Sequence, residues 1–147
     1  MAENDMEERK EKEMSSLSAF LNPVKISEKE VVVSERFQEN GKPAPFKIRP
    51  LAQKENETLI KKYTKRDKKG NETFDKVLYT QAMVAMAVVE PDLESAELQK
   101  AYGVLGADKV LPVMLYAGEF ATLSEEVQKL SGFDIEINDE IDEAKNS

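Results

Sequence analysis

The chain has 147 residues, of which 34% are charged and 40% apolar, and its formal net charge is −8. A chain of this length normally folds as one domain with a substantial hydrophobic core. The absence of cysteine excludes disulfides and thiolate metal sites, and the absence of histidine removes the side chain most used for acid–base catalysis at neutral pH. The composition therefore favours a protein that binds other proteins over an enzyme.

The first 14 residues are almost entirely polar, with six acidic and three basic side chains. They contain no apolar segment of the kind found in signal peptides. No stretch of the chain approaches the roughly 20 apolar residues of a membrane span. We therefore predict a flexible charged tail at residues 1–14, which is either disordered or a solvated helix, and a cytoplasmic protein with no membrane contact.

Two segments near the N-terminus have the composition of β-strands. Residues 30–37 contain three consecutive valines, and in residues 45–51 Phe46 and Ile48 alternate with basic residues. The dipeptide Asn40-Gly41 between them is the strongest short-range signal for a hairpin. Because the connecting segment is longer than two residues, a wider loop or a bulge is expected. These features predict a β-hairpin.

From Ala52 onward, apolar residues recur at helical spacing. The pattern predicts a first helix that ends in the basic stretch 61–69, and a second from Phe74 that is apolar on every side over residues 82–89 and stops at Pro91. Three further helices are predicted: one over 95–102, a short one beginning near Pro112, and an amphipathic one with the apolar stripe Phe120, Leu123, Val127 and Leu130. Within this last helix Thr122 and Glu125 have the spacing of a capping box, and Gly132 fits its C-terminal end.

These elements define an α+β fold class, with an N-terminal β-hairpin packed on a bundle of about five helices and with disordered or helical charged termini. We expect one α+β core domain at residues 15–133, followed by an acidic amphipathic C-terminal tail at residues 134–147. From Phe133, the last residue before this tail, Ile137, Ile141 and Ala144 follow at helical spacing among acidic residues, and the net charge of residues 134–147 is −5.

The basic stretch at residues 61–69 carries a net charge of +5, equal in size and opposite in sign to that of the tail. One interpretation is a site that touches nucleic-acid phosphates. However, only Tyr63 is interleaved with the basic residues, whereas base stacking requires more aromatic side chains, and the overall charge of −8 opposes such binding. A solvated helix end, paired with acidic residues, is the preferred interpretation.

The part of the chain from residue 93 to 133 has more large apolar side chains than one domain needs for its core. We predict that some of them form a partner-binding surface. The candidates are Tyr102, Leu105, Met114, Leu115, Phe120 and Leu123. The alternative is that each belongs to the core, as is also expected for Met83 and Met86. No catalytic, cofactor-binding or metal-binding residue is predicted.

Several segments, in their order and spacing, resemble the XkdN-like tail assembly chaperones of phages and defective prophages with contractile tails. The resemblance covers about residues 17–146. It rests on Ser18-Ala19-Phe20-Leu21-Asn22-Pro23-Val24, Pro45-Phe46-Lys47-Ile48-Arg49-Pro50-Leu51, Asn56-Glu57, Lys61-Lys62-Tyr63-Thr64-Lys65, Pro91-Asp92-Leu93, Ala96-Glu97-Leu98-Gln99-Lys100, Tyr102-Gly103-Val104-Leu105-Gly106-Ala107, Met114-Leu115, Gly118-Glu119-Phe120 and Gly132-Phe133-Asp134. Pro112 departs from the unbroken helix associated with this region of the family.

The resemblance implies a role without catalysis in the cytoplasm of a bacterial host. Such chaperones bind the long tape-measure protein while tail-tube subunits assemble around it, and they are not expected in the finished particle. In related systems a longer form, made by ribosomal frameshifting, recruits the tail tube protein. Residues Ala144-Lys145-Asn146 permit the codons GCA AAA AAC, which contain a heptamer on which a ribosome can slip by −1.

Two other functional classes remain open at this point. The chain could be a structural component of a phage tail or baseplate, or a nucleic-acid-binding accessory protein. The composition of a purified particle discriminates the first from a chaperone, and binding to DNA or RNA at physiological salt discriminates the second.

Overall fold

The computed structural model describes residues 2–133, and the predicted acidic tail at residues 134–147 lies outside the described residues. The described part of the chain combines helices with small antiparallel sheets. Its α-helices are α1 (Ala2–Leu21), α2 (Gln53–Lys62), α3 (Lys76–Ala87), α4 (Ala96–Ala101), α5 (Val110–Met114) and α6 (Ala117–Leu130), with a 3₁₀ turn at Ala107–Lys109. Its strands are β1 (Lys29–Val31), β2 (Gln38–Glu39), β3 (Lys42–Pro43), β4 (Phe46–Ile48), β5 (Thr64–Arg66), β6 (Glu72–Phe74) and β7 (Val88–Glu90).

The main sheet has three antiparallel strands in the order β1-β4-β7. The two segments predicted to pair do so, with Val31 opposite Phe46. On the other edge of β4, Ile48 lies opposite Val88. Phe46 and Ile48 are buried and the intervening Lys47 is half-buried, as the alternation along a strand requires.

The dipeptide Asn40-Gly41 forms its own small hairpin within the loop that connects β1 to β4. Both residues have positive φ angles, 54° and 77°, as a two-residue turn of the type favoured in hairpins requires. The strands that it joins, β2 and β3, form a separate two-stranded sheet. The wider connection expected between the main strands is therefore a second, smaller hairpin.

Helix α3 is the centre of the fold. Four of its residues are buried (Ala82, Met83, Val84 and Ala87), and the helix packs against α2, α5 and α6. The prediction of a helix through residue 89 is wrong for its last two residues, because Val88 begins strand β7. β-branched residues favour a strand, and the residue before Pro91 is biased away from helical conformation.

The prediction that the basic stretch at residues 61–69 forms the end of one helix is wrong. Helix α2 ends at Lys62. The chain then forms β5, reverses direction in a turn and continues as β6, which pairs with β5. The Asp67 carboxylate accepts hydrogen bonds from the backbone N–H groups of Lys69 and Asn71, both at 2.9 Å. This local turn competes successfully with helix formation, as aspartate side chains commonly do.

Helix α6 confirms the predicted amphipathic stripe, because Leu123 and Val127 are fully buried and Phe120 is half-buried. The capping box lies elsewhere than predicted: the helix begins after Tyr116, whose N–H donates to Glu119 at 2.7 Å. Thr122 instead donates its hydroxyl hydrogen to the carbonyl of Gly118, inside the helix. Gly132 ends the helix with a positive φ of 88°, as predicted.

Two further features bear on the surface of the molecule. Pro112 lies in the first turn of α5, where its missing N–H is not required. Helix α1 leaves Leu17, Phe20 and Leu21 exposed. Among residues 2–133, none of the helices combines the length and the apolar character needed to cross a bilayer.

Candidate partner-binding groove

The six residues predicted to bind a partner lie in three different environments. Leu123 is 0% exposed, and Met114 and Leu115 are each 7% exposed, so these three side chains belong to the hydrophobic core. Tyr102 and Phe120 are half-buried and pack against that core. Leu105 is 85% exposed in the loop after α4. The structure therefore leaves Tyr102, Leu105 and Phe120 with side-chain surface that a partner could contact.

Tyr102 and Met114 meet in an apolar groove with a volume of about 280 Å³. We call it the tyrosine groove. It lies where the segment around β2–β4 meets the end of β7, helix α4 and the end of α5. Its lining residues are Phe37, Ala44, Pro45, Phe46, Glu90, Pro91, Leu98, Tyr102 and Met114. Glu90 is the single charged side chain in this lining, so the groove is suited to apolar side chains of a partner.

Helix α4, which supplies one wall of the groove, is held by side-chain hydrogen bonds at both ends. The Ser95 hydroxyl accepts the N–H of Leu98 at the first turn. Gln99 donates to the carbonyl of Leu93 at 2.9 Å and accepts the N–H of Gly106 at 3.0 Å. Gln99 thus joins the segments before and after the helix. The helix is only six residues long, so these contacts replace the stability that a longer helix would have.

The opposite wall is aromatic. The rings of Phe37 and Phe46 lie edge to face, with centroids 5.8 Å apart and an angle of 81° between their planes. This geometry is one that aromatic pairs favour. Because Phe46 is also buried in the central strand β4, the wall is anchored to the main sheet.

Arg36 connects the groove to a neighbouring exposed tyrosine. Its guanidinium donates to the Glu119 carboxylate at 2.5 and 2.9 Å, and to the carbonyl of Met114 at 3.0 Å. It also lies 5.0 Å from the centroid of the Phe37 ring and 4.0 Å from that of Tyr116. Tyr116 is 68% exposed, so an apolar and aromatic surface continues from the groove across Arg36.

The charge state of this contact is well defined. The hydrogen bonds from Arg36 are the main reason that the pKa of the Glu119 carboxyl is lowered to about 2. The same contact raises the pKa of the Arg36 guanidinium. Glu119 therefore remains ionised over the whole physiological range, and the bidentate pair fixes the loop that carries Phe37 beside α6.

A second, larger cavity of about 560 Å³ lies on the side of α3 that faces α2 and the 3₁₀ turn. Met86 lines it and is half-buried, whereas Met83 belongs to the core, as expected. Its lining combines apolar side chains with charged ones, which include Lys62, Asp92 and Asp108. This mixed lining distinguishes it from the apolar tyrosine groove.

The sequence does not predict four residues of this surface, namely Arg36, Phe37, Pro45 and Tyr116. Phe37 was assigned only to a predicted strand, and Pro45 only to the start of another. No pattern along the chain separates Arg36 from the other charged residues, because its partners lie 78 and 83 positions away. Leu98 and Tyr102 do carry a signal, since their spacing of four residues places them on one face of a helix.

The fold and the groove define a small α+β protein that carries an apolar groove on its surface. Residues 17–145 match the model of a protein family described as phage XkdN-like tail assembly chaperone protein. The match covers most of the chain, and the chain belongs to this family. The family predicted from the sequence is thereby confirmed, and membership assigns a role as a phage tail assembly chaperone.

A solved structure described as the crystal structure of the protein YqbN is similar to this chain. It has a TM-score of 0.66 and 23% sequence identity over 79% of this chain and 96% of that chain. At this level of identity the likeness concerns the fold alone. The comparison with curated proteins found no match.

Proposed function

We propose that this tail assembly chaperone binds a tape-measure protein through the tyrosine groove and the aromatic surface beside it, and that it leaves before the particle is complete. The observation that carries the proposal is the apolar groove that Leu98 and Tyr102 form with Phe37. A tape-measure protein is expected to be long and helical, and amphipathic helices bind apolar grooves through side chains spaced three or four residues apart. The groove has room for one or two such side chains.

The proposed contact residues differ in how they contribute. Tyr102 and Phe37 line the groove, Tyr116 extends the surface beyond Arg36, and Leu105 lies three residues after Tyr102 in the exposed loop that follows α4. Met114 lies at the base of the groove. Leu115 and Leu123 are buried in the core, so their role in binding is indirect, whereas Phe120 is half-buried and keeps some exposed surface. A groove that accommodates only one or two side chains supports reversible binding of the client more than permanent assembly.

Co-expression of the tape-measure protein with variants of this chain tests the proposal. We expect soluble client with wild type, and aggregated client with the variant Tyr102→Ser plus Leu105→Asp. Neither substitution affects a fully buried side chain, so the variant should remain folded, which its circular dichroism spectrum and thermal midpoint will check. Met114 is unsuitable for this test because it is 7% exposed, so an aspartate there would test folding.

The matched control is Phe20→Asp on α1, which places the same charge at an apolar residue that is 82% exposed. It should keep the client soluble. Client that is soluble without any partner would contradict the chaperone role towards this protein. Retention of the chain in purified particles would instead favour a structural tail or baseplate component.

We further propose that a frameshifted, longer form of this chain recruits the tail tube protein. The support is the sequence Ala144-Lys145-Asn146, which permits the slippery heptamer A AAA AAC. Lysine codons are rich in A, so other lysine pairs in the chain permit similar runs. Sequencing the gene tests the idea: synonymous codons that interrupt the run, or no open −1 frame after it, would contradict it.

A further inference from the structure

A second exposed apolar surface lies where α2, the β5–β6 hairpin and the start of α3 meet. We call it the hairpin patch, and it comprises Ile60, Phe74, Val77 and Leu78, which are between 39% and 67% exposed. The Phe74 ring lies 5.2 Å from that of Tyr79. The Tyr79 hydroxyl donates to Asn56, which lies one helical turn before Ile60 on α2. The patch is therefore continuous between the hairpin and helix α2.

The segment that carries the hairpin patch is positively charged, in a protein whose net charge is −8. Residues 60–78 contain seven basic and three acidic side chains, a net charge of +4. Each of the three acids has a local partner. Asp67 accepts two N–H groups in the hairpin turn, Glu72 pairs with Arg66 at 2.7 Å, and Asp75 accepts the N–H of Leu78 at the start of α3.

The chemistry that complements this patch is an acidic amphipathic segment, because its apolar side chains would cover the exposed residues and its carboxylates would face the lysines. The chain itself contains such a segment at residues 134–147. This segment has six acidic side chains and one basic, and Ile137 and Ile141 have the spacing of one helical face. Its net charge of −5 is close in size to the +4 of residues 60–78.

The position of the C-terminal end of α6 allows this segment to reach the hairpin patch. The Ser131 hydroxyl accepts the N–H of Leu51 at 2.9 Å, which places the end of α6 beside the start of α2. Helix α2 has ten residues, and the patch lies towards its other end, about 15 Å away. Ile137 lies six residues after Ser131, and six residues span up to about 20 Å when extended, which exceeds this distance.

We propose that residues 134–147 bind the hairpin patch of the same chain, with Ile137 and Ile141 against Ile60, Phe74 and Leu78. The acidic side chains of the segment then neutralise the lysines at the rim. Exposed charges attract one another less as salt screens them, so the contact weakens with ionic strength, while the apolar part persists. Bound in this way, the segment covers a surface that would otherwise attract acidic polypeptides unselectively.

Paramagnetic relaxation measured by NMR tests this proposal on the full chain. The sequence has no cysteine, so the variant Asn138→Cys provides one attachment point for a nitroxide and leaves the charge unchanged. We expect the nitroxide to cause loss of amide signal intensity over residues 60–78, with recovery when the label is reduced. In 1 M NaCl the loss should become smaller. Intensity loss spread evenly over the core, or absent from residues 60–78, would overturn the proposal.

Two matched variants and one mixing experiment complete the test. Val77→Asp, in the patch, should abolish the signal loss, whereas Val24→Asp, at a valine that is 94% exposed outside the patch, should not. An equal effect of the two variants overturns the proposal. Spin-labelled protein of natural isotope content is then mixed with ¹⁵N-enriched protein that carries no nitroxide. Signal loss in that mixture would show that a second copy supplies the segment, which also overturns binding within one chain.

Discussion

Arg36 and Glu119 lie 83 residues apart in sequence, and the guanidinium of the first donates two hydrogen bonds to the carboxylate of the second. This pair joins the loop before β2 to the start of α6. Glu119 also accepts the N–H of Tyr116, so one carboxylate both anchors the loop and satisfies the helix terminus. The pair therefore determines the position of Phe37, and with it one wall of the tyrosine groove.

Replacing Arg36 with alanine should weaken client binding more than its small contact area suggests. The variant removes the anchor of the loop and the stacking on Tyr116, and it leaves Glu119 without its charged partner. Client retention in a pull-down assay should fall several-fold. The matched control is Arg66→Ala, because Arg66 pairs with Glu72 at a more exposed position, where ion pairs contribute little. Equal retention by both variants would contradict the proposed role of Arg36.

The stability of the fold should fall as the pH decreases from about 4.3 to 2. Interaction with arginines lowers the pKa of Glu119, and likewise that of Glu55, to about 2 in the folded chain, whereas an unfolded glutamate titrates near 4.3. Between these values the unfolded chain binds more protons, so the free energy of unfolding decreases as the pH falls.

Thermal unfolding from pH 6 to pH 2.5 measures this dependence. The variant Glu119→Gln lacks the stabilising charge, so its thermal midpoint should be lower than that of wild type at pH 6. Because it has no carboxyl to protonate at this position, its midpoint should fall less steeply on acidification. The same midpoint shift in wild type and variant over this range would contradict the assignment to Glu119.

Truncation of two predicted site leucines should change the free energy of unfolding by very different amounts. Leu123→Ala removes a side chain that is 0% exposed, and the cavity should reduce the free energy of unfolding by about 2–5 kcal/mol. Leu105→Ala, at a residue that is 85% exposed, should change it by no more than about 0.5 kcal/mol. Urea denaturation followed by circular dichroism measures both. Similar losses in the two variants would contradict their placement in the fold.

The chain should bind neither DNA nor RNA with micromolar affinity at physiological salt. Its basic residues at 61–69 are divided between the end of α2 and a short hairpin, with few aromatic side chains for base stacking. The overall charge of −8 repels phosphate. Fluorescence anisotropy with labelled oligonucleotides tests this expectation, and micromolar binding at 150 mM salt would falsify it.

Local patterns were sufficient for much of the secondary structure. The stripe through Leu123 and Val127 predicted the buried face of α6, because the positions of these side chains follow from helical periodicity alone. The alternation at Phe46 and Ile48 predicted the burial along β4 for the same reason. The family could also be predicted from the sequence, because segments typical of the family occur along the chain in the same order.

Other features depended on contacts between distant residues. Val88 and Val89 have the composition to continue α3, but they form a strand because β4 offers them an unpaired edge. The groove brings Phe37 next to Tyr102, and its geometry depends on Arg36 reaching Glu119. Such contacts are determined by packing, where several arrangements satisfy the same local preferences. Periodicity could therefore identify the apolar residues of this protein, whereas only the packed fold decided that Leu123 is core and Leu105 is surface.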